Sequence, residues 1–185
     1  MNTISYDEFG RRFISSVVTA DRIEATLNKV VAGDFETGMK IAAGLVRAEG
    51  SGGVTRVVVD RISGEALAYR AILHVDLDLE VRVSGVPYRY SGTGDVTLQL
   101  HVVARDDLSL FVEIPDVTRA DIDIDLKPQG RVAAILDQLG GVEEQVEREV
   151  MKFVNARKDE RSALKERRID VATTIDEVWR RMQSN

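Results

Sequence analysis

The chain has two histidines and no cysteine, so thiols are excluded and the groups left for chemistry are carboxylates, imidazoles, hydroxyls and the basic side chains. Two runs place acidic side chains at alternate positions: Asp76, Asp78 and Glu80, then Asp121, Asp123 and Asp125. Alternation at period two sets side chains on one face of a strand. Were the two strands neighbours, their oxygens could ligate calcium. The spacing is not that of a calcium loop, and strand carboxylates facing water are ordinary, so no metal is expected. His74 and His101 share the polar parity of the same region. A hairpin centred near Pro87 would bring them together beside Asp76, where they could bind a metal or sense pH. Two ligands make a poor metal site, and solvated surface histidines are the plainer expectation.

Other catalytic patterns fail on context. Ser51 lies in Glu49-Gly50-Ser51-Gly52-Gly53 with no helix after it, so it is not a nucleophile elbow. The same glycines lack the Gly-Lys-Ser/Thr of a phosphate loop. No G-x-G-x-x-G opens a helix after a strand. Without cysteine there is no thiol catalysis and no cysteine-ligated zinc. The expectation is a protein that is not an enzyme and needs no cofactor. Its 31 acidic and 25 basic side chains give a formal charge of -6, which repels phosphate backbones, so nucleic acid is not an expected partner. One basic stripe stands out. Arg157, Arg161, Lys165 and Arg168 recur at helical spacing, and like charges so placed weaken an isolated helix. Water or the protein's own acidic strands could answer them, as could an anionic lipid headgroup or an acidic protein surface.

The elements that must position these groups follow from hydrophobic period. Phe9, Phe13, Val17 and Val18 lie on one face of a first helix. Ile23, Leu27, Val30 and Val31 form the stripe of a second, with Thr19 as its cap and Gly33 as its end. The period then drops to two from Phe35 through Leu45. The glycine-rich stretch 49–53 reads as a turn or flexible loop, and Val54 to Ile62 as a second strand. From Leu67 to Val83 every odd position is apolar or small. After Val86-Pro87 the parity inverts, with Tyr88, Tyr90, Val96, Leu98, Leu100 and Val102 on even positions. That is a long antiparallel pair. Shorter strands follow at Leu108–Ile114 and Ile122–Leu126. Val132 to Leu139 reads as helix, Gly140-Gly141 interrupts it, and Val142, Val146, Val150, Phe153 and Val154 resume it toward Arg168. A short strand through Ile175 and a terminal helix around Trp179 close the chain.

A length argument then fixes the architecture. A straight strand from Leu67 to Val83 would span on the order of 55 Å at roughly 3.3 Å per residue. A compact domain of this size is only about 40 Å across. The molecule is therefore elongated or its sheet curls strongly. Gly92 and Gly94 fall at apolar parity on the second long strand, where a bend, a closely packed helix or an apolar ligand would need missing side chains. The fold class expected is α+β: a long, strongly curved antiparallel sheet wrapped against amphipathic helices. It divides into N-terminal helices (1–33), sheet (34–127), a long amphipathic helix (131–168) and a short strand with a terminal helix (169–185), all in a single domain 1–185. The helix-grip fold is the runner-up, although such domains usually begin with a strand.

Three stretches carry a resemblance: LHVDLDLEVRVSGVPYRYSGTGDVTLQLHVV, the strand DIDIDL, and GGVEEQVEREVMKFVN. Together they resemble bacterial members of the tubular lipid-binding group, which includes the bactericidal/permeability-increasing proteins. The pattern extends over roughly residues 20 to 175 and contains no invariant signature. The resemblance implies an apolar groove between sheet and helix and no catalytic residues. On this plan the groove is lined by Tyr88, Tyr90, Gly92, Gly94, Leu98, Leu100, Val146, Val150 and Phe153. The function expected is non-catalytic binding of a lipid, fatty acid or other apolar small molecule. The alternative is a protein-interaction or scaffold domain. A homo-oligomer stays open. No apolar run approaches the roughly 20 residues of a spanning helix. The N-terminal stretch is charged where a signal peptide is apolar, so a cytoplasmic location is expected.

Overall fold

The structure is a computed structural model that describes residues 3–31, 33–41, 46–63, 67–83, 86–129, 142–173 and 180. Two helices open the chain, α1 (Tyr6–Val17) and α2 (Ala20–Val31). The sheet follows: β1 (Asp34–Ile41), β2 (Val46–Arg61), β3 (Ala68–Val83), β4 (Val86–Ala104), β5 (Ser109–Glu113) and β6 (Ile122–Gln129). Helices α3 (Val142–Asp159) and α4 (Arg161–Glu166) lead to β7 (Arg168–Asp170). The expected helix at 132–139, the strand end at Ile175 and the terminal helix around Trp179 lie outside the described residues.

All strand pairs are antiparallel, in the order β1-β2-β3-β4-β5-β7. The sheet is strongly curled, and the fold is α+β. Strand β4 is long enough to hold two partners on one edge. Arg89–Val96 pairs with β6, and His101–Ala104 pairs with β5. On that edge the stretch between them has no strand partner, although β3 pairs it on the other, and the crossover from β5 to β6 runs past it. There Asn155 of α3 does the work of a strand: its side chain accepts from Val117 N at 2.9 Å and donates to Val117 O at 3.0 Å.

One hydrophobic cluster fills the concave side. It takes the odd residues of β3 from Tyr69 to Val81, Tyr90, Val96, Leu98, Leu100 and Val102 of β4, Ile122 and Ile124 of β6, and the valine stripe of α3 at Val146, Val150 and Val154. Helix α3 lies across the cluster, touching two of the edge strands, β1 and β6. The rings of Phe153 and Phe35 meet at a tilt of 31°, 4.5 Å between centroids. Helix α2 buries Ile23, Leu27, Val30 and Val31 against β2 and α3. The Tyr69 hydroxyl donates to Val18 O at 2.7 Å, pinning the joint between α1 and α2 to the sheet.

Several expectations change. The stretch 49–53 is the middle of β2 rather than a loop. Gly50 and Gly52 stand opposite Leu79 and Leu77, and a Cβ on either would strike the leucine beside it. A β-bulge between Val54 and Arg56 then shifts the parity, so that Ala48 and Val57 both face inward. Helix α1 forms as expected, capped by the Ser5 hydroxyl, but buries none of its residues. The helix from 142 does not run on to Arg168. It stops at Asp159, and Glu160 takes a non-helical conformation before α4. Leu108 is not a strand residue. It sits exposed in the β4–β5 turn with φ +58.

Candidate functional site

The residues of the expected groove come together as packed core. Tyr90, Leu98, Leu100, Val146 and Val150 are buried in one cluster, and Tyr88 and Phe153 pack half-buried against it. Gly92 and Gly94 face neither a helix nor an open space. A Cβ on Gly92 would lie 2.6 Å from Asp125 O and 2.6 Å from Leu126 Cδ2. One on Gly94 would lie 2.9 Å from Asp123 O and from Ile124 Cγ1. Strand β6 has folded over the space the two glycines leave.

The basic stripe is taken apart by the break at Glu160. Arg157 pairs with both oxygens of Glu160 at 3.0 Å, and its Nη2 reaches the place a Cβ on Gly33 would need. Arg161 and Lys165 lie exposed on α4. Arg168 is on β7 and pairs with Asp107 at 2.9 Å. The sequence reading missed the two cations that do enter the protein. Lys158 is buried and donates to Asp116 at 2.6 Å. Arg167 is buried and donates to Val112 O at 2.7 Å and Lys158 O at 3.1 Å.

The acidic runs are not neighbours, because β4 lies between β3 and β6. Asp76 aligns with Thr93, and Thr93 with Asp125. Asp121 belongs to a 3-10 turn (Arg119–Asp121) and accepts from Thr118 N at 2.8 Å and Thr118 Oγ1 at 2.6 Å. The histidines also separate. His74 stands opposite Asp95, which it contacts at 2.6 Å, while His101 stands opposite Ala68. Among the described residues no three carboxylates or imidazoles gather as a metal site. A concavity of about 700 Å³ opens on this outer face, with mostly charged and polar side chains such as Glu36, Glu49, Asp78, Glu80 and Arg89 at its rim beside Leu79 and Tyr90.

A different cavity is apolar. It lies where α1, the β4–β5 turn and residues 171–172 meet, and holds about 490 Å³. Gly10, Phe13 and Ile14 of α1 form one wall. Ala104, Leu108 and Leu110 form another, with Val171 and Ala172 closing the side. Arg105 is the one ionisable side chain among the described lining residues. Gly10, Phe13 and Ile14 share a helical face, being three and four positions apart. A glycine inside a helix costs about 1 kcal/mol relative to alanine. Close packing does not explain this one, because a Cβ on Gly10 would have nothing within 4 Å. Its missing side chain leaves the cavity wall open.

No family model matches the chain, and no curated protein does. Among solved structures it is similar to the crystal structure of lipopolysaccharide binding protein, at 13% identity and a TM-score of 0.35. The match covers 80% of this chain and 38% of that one. The chain therefore spans well under half the length of that protein, and a likeness this distant assigns no function. No helix among the described residues is long and apolar enough to cross a membrane.

Proposed function

We propose that this protein binds an apolar or amphipathic small molecule, such as a fatty acid or other lipid, and does not transform it. The observation that carries this reading is the cavity between α1 and the β4–β5 turn. Its volume of about 490 Å³ falls within the roughly 300–1,000 Å³ typical of small-molecule sites. Its lining is aliphatic and aromatic apart from Arg105 and Ser109. This moves the ligand from the concave face of the sheet to one end of it.

Gly10→Leu tests it. The leucine projects from the open wall, so a medium-chain fatty acid should bind at least several-fold more weakly, while the melting temperature holds. Equal binding by the parent and the variant would remove the cavity as the site. A second reading has its own observation. Tyr6 is 95% exposed and Phe9 59% exposed on a helix with no fully buried residue. That aromatic face suits a protein partner, and a scaffold role would leave Gly10→Leu without effect on small-molecule binding.

A further inference from the structure

We infer that the cavity selects a single-chain amphiphile with an anionic head, and that Arg105 is the group that receives the head. This rests on the cavity being the ligand site and adds the chemistry of the ligand.

The argument begins with where Arg105 sits and what it lacks. Its guanidinium lies 4.3 Å from the Phe111 ring centroid, and the Arg167 guanidinium lies 4.8 Å from the same ring. Two cations thus share one aromatic side chain. Burial lowers the pKa of Arg167 below its ordinary value, and the charge of Arg105 adds to that lowering. Arg167 spends its hydrogen bonds on two backbone carbonyls, and the charges of Asp159 and Glu113 offset part of the lowering. The nearby carboxylate of Asp107 is already engaged. It accepts from Ser109 N at 3.1 Å and Ser109 Oγ at 2.5 Å, and it pairs with Arg168. No described carboxylate forms an ion pair with Arg105. The cavity therefore has an apolar body and one cation on its lining that no described carboxylate pairs directly; Asp107 feels its charge from a distance, and a ring contact holds it in place.

Such an arrangement recognises a carboxylate or phosphate attached to an alkyl chain. Arg suits both, because its fork of donors matches two oxygens at once. The volume stands in the lower half of the usual range, which fits one chain rather than a two-chain lipid. Apolar contact alone would bind an uncharged chain as well as a charged one. The cation should make the difference, on the order of tenfold for a charge-assisted bond at a partly exposed site.

The test uses the full chain with three probes of equal chain length: decanoate, decyl phosphate and decan-1-ol. Binding is measured by calorimetry at neutral pH and low salt for the parent, Arg105→Gln, Arg105→Lys and Gly10→Leu. The parent should bind one or both anions about tenfold more tightly than the alcohol. Arg105→Gln should bring all three to the alcohol's affinity, and Arg105→Lys should restore much of the preference. The ratio of carboxylate to phosphate then names the head. Melting curves check that each variant is folded, and the Lys variant keeps the charge if the Gln variant is not. Equal affinity of the parent for all three probes, with Gly10→Leu weakening all of them, would overturn the inference and leave the cavity reading standing. Binding of none, or binding indifferent to Gly10→Leu, would overturn both.

Discussion

Replacing Gly92 by alanine separates the concave face of the sheet from the end cavity. In a strand interior, glycine to alanine ordinarily gains about 0.5–1 kcal/mol from chain entropy. No glycine of the described sheet has a positive φ, so the backbone accepts alanine at this position. The side chain does not fit. Its Cβ would stand 2.6 Å from Asp125 O and 3.2 Å from Leu126 Cα, both backbone atoms of β6. A carbon approaches a carbonyl oxygen no closer than about 3.3 Å in ordinary contacts, so β6 must move by roughly 0.7 Å. Overpacking of this kind costs about 1–3 kcal/mol. The clash is with main chain on an edge strand, which puts it at the upper end, and the net loss is about 2 kcal/mol. For a domain of this length that is a fall of roughly 4–8 °C in melting temperature. The control is Gly10→Ala in α1, which meets nothing within 4 Å. It should raise helicity and leave the melting temperature unchanged or slightly higher. Thermal melts followed by circular dichroism read both, and decanoate titration of Gly92→Ala should match the parent. A raised melting temperature in Gly92→Ala, with weakened decanoate binding, would refute the reasoning. The ligand would then belong on the concave face.

Two further outcomes are expected. Asn155→Ala removes both partners of the buried Val117 backbone; at about 1–3 kcal/mol for each orphaned group, the variant should melt well below the parent, whereas Asn155→Asp keeps one acceptor but opposes the Val117 carbonyl and should not rescue it. The carboxyl of Asp116 is held below its ordinary pKa by the hydrogen bond from Lys158, and that of Asp107 by bonds from the Ser109 hydroxyl and amide. A lowered folded pKa gives stability that is present above the unfolded value and lost as pH falls through the folded one, so the double variant Asp107→Asn/Asp116→Asn should show a shallower drop in melting temperature from about pH 4 downward, and an unchanged slope would show these bonds to be inert.

Much of the sheet was legible because burial on one side leaves a period of two. The alternation from Leu67 to Val83 is β3 almost residue for residue, and the inverted parity after Val86 is β4. Their register was less legible. Partners sum to 169, with Val83 opposite Val86, because the chain reverses ahead of Pro87 rather than at it. That shift of six positions is what parts His74 from His101. Strand β2 was hidden by its own devices: glycines at inward positions look like a loop, and the bulge at Val54/Arg56 breaks the period that would have exposed them. Helix α1 was legible as a helix, since Phe9 and Phe13 do share a face. Nothing local says whether an apolar face meets the core, so its exposure was not. The cavity draws on residues 10–14, 104–110 and 171–172, which no window of sequence joins. Its one local mark was Gly10, a helix-weakening residue in the middle of an amphipathic run.

The curl itself decides where a ligand can go. On a concave face, side chains from neighbouring strands converge, so a curled sheet must either enclose space or thin out its inward residues. This sheet thins them in register. Leu77 of β3 has Gly52 on one side and Gly92 on the other, and beyond Gly92 stands Leu126 of β6. Val75 has Gly94 beside it and Ile124 beyond. Leu79 has Gly50 on one side and Tyr90 on the other. Each glycine gives room to the large side chain next to it, as the short distances from every projected Cβ require. The glycines thus serve curvature, and the valines of α3 close what remains. A ligand on that face would have to displace core. The end of the sheet is different: β4 runs three residues past β3 there, paired only to β5, the turn turns Leu108 outward, and α1 stands over the gap with none of its residues fully buried. Apolar surface that the core does not need is left at that rim, and the rim is where Arg105 lies.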